Sequence, residues 1–133
     1  MNYIGTTINE SSVITATAGR AIENGAGCAV YFDTDGTVVL GNAGSSVIGI
    51  LAMDTPEKVE AGDEVTVQIR NTGLAKAGEP IKAGDIVVPH NAGALVPSKK
   101  GGSMFGFALS EAKKAGDFFS IDICKGNYIN PTT

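Results

Sequence analysis

At 133 residues, 43% of them hydrophobic and 18% charged, the chain has a globular balance and the length for one domain with a real core. Its net charge of −4 is unevenly spread: residues 1–76 carry four Lys/Arg and nine Asp/Glu, residues 77–133 six and five. Neither half has the positive field that a nucleic acid demands, and no apolar run approaches the ~20 residues that span a bilayer. Both facts argue against DNA, RNA or a membrane as partner.

In chain order, Met1-Asn2-Tyr3-Ile4 has neither a basic n-region nor an apolar h-region, so no export signal is expected. Residues 1–17 are polar and β-branched, with Ile4, Ile8, Val13 and Ile14 as apolar points, and read as an extended arm ending in a strand at Val13–Ala16. Cys28–Phe32 and Thr37–Leu40 are β-prone runs around Asp33-Thr34-Asp35-Gly36, a hairpin signal because glycine takes the positive φ of a tight turn. Val47–Ala52 is a buried strand around Gly49, and Glu57–Glu60 a charged loop after Pro56. Glu64–Arg70 alternates cleanly, with Val65, Val67 and Ile69 on one face.

Further on, Ile86–Val88 is a strand stopped by Pro89, Asn91–Gly93 a turn and Ala94–Val96 a short strand. Ser98–Ser103 reads as a loop and Met104–Leu109 as a second Gly-centred strand. Ser110–Lys114 is the one candidate helical turn, with Ser110 as N-cap. In the last strand Phe119, Ile121 and Ile123 face inward, Ser120 and Asp122 outward. Eight to ten short strands at this spacing predict an all-β fold, a compact β-sandwich or small barrel.

The chain also repeats itself. Ala18-Gly19 is echoed by Ala77-Gly78, Ile48-Gly49-Ile50 by Phe105-Gly106-Phe107, and Ala61-Gly62-Asp63 by Ala115-Gly116-Asp117. The offsets shrink from 59 to 57 to 54, as loop deletions between matching elements would cause. The reading is therefore an arm at 1–17 and one β domain at 18–133, built from degenerate repeats at about 18–76 and 77–126.

Chemistry-bearing patterns are sparse. His90, the lone histidine, follows a strand end with no nucleophile motif beside it. Gly44–Gly49 lacks the spacing of a serine elbow, and Gly25-Ala26-Gly27 lacks the third glycine and helix of a dinucleotide site. Asp33-Thr34-Asp35-Gly36 lacks the later ligands of a calcium loop. Asp54, Glu57 and Glu60 read as a solvated acidic rim. Cys28 and Cys124 match no metal spacing and are expected to be free buried thiols. No catalytic residue, metal ligand or cofactor is expected, and the chain reads as a non-enzyme.

The segments Ala18–Gly27, Val47–Ala52, Ala61–Ile69, Ala77–Val88, Met104–Leu109 and Ala115–Ile123 together resemble the small Gly/Ala-rich β family of capsid decoration (cement) proteins of tailed bacteriophages. This chain departs from that family in a longer connection between its two Gly-centred motifs. The resemblance implies a homotrimer on the outer surface of an icosahedral head, made in the host bacterial cytoplasm and bracing the shell by binding the major capsid protein. It implies that residues 1–17 are a capsid-binding arm, with Tyr3, Ile4, Ile8, Val13 and Ile14 as contacts. The sequence does not separate a bare decoration protein from the base of a longer head fibre, though 133 residues leave no room for a fibre shaft. Ile81–Val87 also resembles the β-clip element of sugar-binding domains, so a small-molecule or carbohydrate-binding module is the alternative, expected to show aromatic platforms.

Overall fold

The computed structural model describes residues 11–99 and 102–128. Along them run β1 (Val13–Thr17), β2 (Ile22–Glu23), β3 (Ala29–Phe32), β4 (Val38–Leu40), β5 (Gly49–Leu51), β6 (Lys58–Val59), β7 (Glu64–Gln68) and β8 (Asn71–Lys76). Then come β9 (Ile86–Pro89), a 3-10 turn (Asn91–Gly93), β10 (Leu95–Pro97), β11 (Gly102–Ala108) and β12 (Phe118–Tyr128). Two five-stranded antiparallel sheets result, ordered β1-β7-β5-β3-β4 and β10-β9-β11-β12-β8, with a small β2-β6 pair. The fold is all-β and sandwich-like. One parallel bridge links the outer strands of each sheet, Ala18 to Val38 and Ala77 to Leu95, so each sheet curls without closing into a barrel.

The two sheets have the same ladders. Thr17 pairs with Glu64 in the first and Lys76 with Phe118 in the second. Leu51 opposite Val67 becomes Ala108 opposite Ile121, Val30 opposite Gly49 becomes Val87 opposite Gly106, and Phe32 opposite Val38 becomes Pro89 opposite Leu95. The cores correspond too. Ala18, Ile22, Val30, Val38, Leu51, Val59, Val65 and Val67 fill the first sheet. Their counterparts Ala77, Ile81, Val87, Leu95, Ala108, Ala112, Phe119 and Ile121 fill the second. β1 and β8 occupy matching places, so the matching units start five residues ahead of Ala18 and Ala77.

The shared Ala-Gly-Asp motif makes the same turn in both units. The Asp63 N–H donates to Glu60 O (3.0 Å) and the Asp117 N–H to Lys114 O (3.2 Å). Gly62 and Gly116 have φ of +93 and +92, which a turn of this type reserves for glycine. The aspartate carboxylate closes the turn, Asp63 Oδ2 accepting from the Glu60 N–H and Asp117 Oδ2 from the Lys114 N–H. Lys82-Ala83-Gly84-Asp85 builds a third such turn.

Several expectations are corrected. Gly102-Ser103, expected in a loop from Ser98, open β11 instead. Ser110–Lys114 is not a helical turn: the Ala112 and Ile81 backbones exchange N–H···O bonds of 2.9 Å in an antiparallel bridge. Glu57–Glu60 contains a strand, since β6 pairs with β2. Asn71–Lys76 is a strand that the hydrophobic pattern does not announce. Cys28 is buried as expected, but Cys124 is exposed.

Candidate interaction surface

Tyr3, Ile4 and Ile8 lie outside the described residues. Val13 and Ile14 lie in β1, an outer strand of the first sheet, where Val13 is exposed and Ile14 is half-buried against the first core. β1 pairs with β7 along all five of its residues, so these two side chains are held in a ladder. A strand in that position can accept a further strand through its open edge.

A cleft of about 420 Å³ opens where the two units meet, lined by Glu23, Cys28, Lys76, His90 and Asn91 among small residues. Lys76 is its anchor. Its backbone N–H donates to Gly27 O (2.9 Å) and its ammonium to Asn24 O, and the ammonium stands 5.9 Å from the centre of the Phe118 ring. Burial pushes the Cys28 thiol up, with the Lys76 charge pulling the other way. A raised thiol stays protonated at neutral pH, and the thiolate is the nucleophilic form. His90 is exposed at the cleft rim. No Phe, Tyr or Trp ring lines the cleft, so the platform expected of a sugar-binding module is not built there.

A smaller recess of about 190 Å³ brings Asp54 beside Glu64, a residue not singled out by sequence; Glu57 and Glu60 do not line it. Among the described residues no three His, Cys, Asp or Glu side chains gather closely enough to hold a metal ion. Asp33–Gly36 forms the expected hairpin turn: the Asp33 N–H donates to Thr37 O (2.7 Å) and Gly36 has φ of +84. The Asp35 carboxylate accepts from the Thr37 hydroxyl (2.6 Å) and N–H (3.2 Å), which holds it below the usual carboxylate range.

A further feature is apolar. Leu74, Phe107, Leu109 and Phe118 are 37–52% exposed, all on or beside the second sheet. Met104–Leu109 is the expected strand, but a register shift between Met104 and Gly106 sends Phe105 inward and leaves Phe107 outside.

No protein-family model and no curated protein matches the chain. Among solved structures it is similar to the N base of the head fibre protein gp8.5 of bacteriophage phi29. The TM-score is 0.64 at 22% identity, over 84% of this chain and 92% of that one. The two share a fold. The likeness spans nearly the whole of the phi29 base and is set by architecture, since fewer than one residue in four is the same.

Proposed function

We propose that this protein is a structural component of a tailed-phage virion, seated on the outer surface of the head as a homotrimer and stabilising the shell. The observation that carries this reading is the fold shared with the base of a phage head fibre over 92% of that base. The surface agrees with a structural role: an outer strand offered at β1 and an exposed apolar sheet face. The partner is the major capsid protein. The residues ahead of β1, with Val13 and Ile14, form the contact arm, which adds its backbone to an exposed shell edge. Three linked arms multiply weak contacts through effective concentration.

The test is co-sedimentation with purified capsids. Deleting residues 1–12 is expected to leave a folded protein that binds capsids much less tightly. Unchanged binding after that deletion sinks the arm, and no binding by the full chain sinks the capsid reading itself.

A further inference from the structure

The two units are not equally covered. Around the mouth of the second core, Ala75, Phe105 and Ile123 are at most 8% exposed. They share one cluster with Ala29, Val47 and Ile50, and with Tyr31 packed against it, all from the first unit. The outward-facing residues of β3 and β5 thus roof the second unit. The corresponding mouth of the first unit has no such roof: Ala16, Ile48 and Ile69, the counterparts of Ala75, Phe105 and Ile123, are only half-buried.

The opposite end is unmatched in the same way. Ala29 and Ile50 are 0% and 1% exposed under this contact, whereas Phe107, the counterpart of Ile50, is 37% exposed. Ile86 and Val88, the counterparts of Ala29 and Tyr31, are half-buried. The turn glycines agree. Gly93 is buried, with an added Cβ meeting Cys28 and Ala29 of the first unit. Its counterpart Gly36 has nothing within 4 Å of that position.

From these three asymmetries we infer that the face carrying Ile86, Val88 and Phe107 of one copy roofs the mouth carrying Ala16, Ile48 and Ile69 of the next. The contact between copies repeats the contact between units within the chain. The occupant of each surface is a second copy of this protein, because its own sequence already builds both halves of the fit. Such a contact is head-to-tail, and it closes into a ring when the rotation allows. Three copies give a ring of six like units; the number three rests on the trimeric reading above, the pairing of surfaces does not.

The experiment uses two full-length variants, each breaking one surface: Phe107→Lys on the roof and Ile69→Lys at the mouth. Mass is read by analytical ultracentrifugation at the highest soluble concentration, with thermal melting as the check on folding. Wild type is expected near three chains and each variant alone at one. An equimolar mixture is expected to form a dimer, because one intact roof then meets one intact mouth and no third copy can join. If Ile69→Lys does not fold, Ile48→Lys at the same mouth replaces it. A trimeric Phe107→Lys protein, or a mixture that stays monomeric beside a trimeric wild type, overturns the pairing while leaving the trimer standing. A wild type that is monomeric at every concentration, together with weakened capsid binding by Phe107→Lys, overturns the pairing and assigns the face to the shell protein. An open series of larger species overturns the closed ring.

Discussion

Two glycines with the same job show how single residues carry this fold. A Cβ on Gly49 would overlap the carbonyl oxygen of Gln68 across the ladder, and a Cβ on Gly106 that of Asp122. Backbone atoms in a paired strand have little room to retreat, so alanine at either site forces the strands apart. Gly62→Ala is a different perturbation: the φ of +93 is strained for alanine, but nothing stands within 4 Å of the new methyl. Overpacking and left-handed strain each cost ~1–3 kcal/mol, and an overlap with paired backbone that cannot yield falls at the upper end. Urea unfolding is expected to rank Gly49→Ala and Gly106→Ala as more damaging than Gly62→Ala. An equal loss in all three would mean that the strands part easily at the Gly-centred motifs.

The hairpin tip gives a pH dependence of fixed sign. The bonds from Thr37 depress the Asp35 pKa in the folded state. The ionised carboxylate therefore stabilises the fold above the ordinary aspartate range, and that contribution is lost as pH falls through the depressed folded value. Asp35→Ala is expected to melt below wild type at pH 7, with the gap narrowing progressively as pH falls below the ordinary aspartate range. A gap that persists in acid would show that Asp35 acts through shape rather than charge.

Among the elements, legibility followed side-chain size. β7 and β12 were readable because bulky residues alternate along them, with Val65, Val67, Phe119, Ile121 and Ile123 buried. β8 was not, because its inward positions hold Gly73 and Ala75, whose small side chains leave no period to detect. The signal that finds it is the repeat: carrying the Ala18 to Ala77 correspondence back five residues lays Thr72–Lys76 over β1. The same correspondence, carried from Val59 to Ala112, explains why Ser110–Lys114 is extended. Its sequence suits a helix, but Ala112 fills the place of a strand residue against Ile81, and two backbone bonds there outweigh a weak local preference. The arm's Val13 and Ile14 were legible as apolar points; their place in a full ladder with β7 was not, because their partners Gln68 and Val67 lie far along the chain and leave no local mark.

For the molecule as a whole, duplication was readable and the way the copies sit on each other was not. The apolar run Val47–Ala52 reads as buried, but nothing in the sequence says which core Ile50 enters. It is 1% exposed because it belongs to the second core. The first core is made from its own unit alone, while the second borrows Ala29, Val47 and Ile50. This one-way loan predicts an asymmetric response to cavities. Ile50→Ala sits in β5 of the first sheet, yet it empties space in the second core, at a cost of ~2–5 kcal/mol. Amide exchange is expected to speed up at Phe105, Phe119 and Ile121 more than at Val30, Val38 and Val67. Val67→Ala, a cavity of similar kind within the first core, is expected to loosen its own unit first. Because the loaned side chains tie the second core to the first sheet, both variants are still expected to melt in one transition. Two separate transitions, or a response to Ile50→Ala confined to the first unit, would mean that the shared cluster does not couple the halves and that each unit stands by itself.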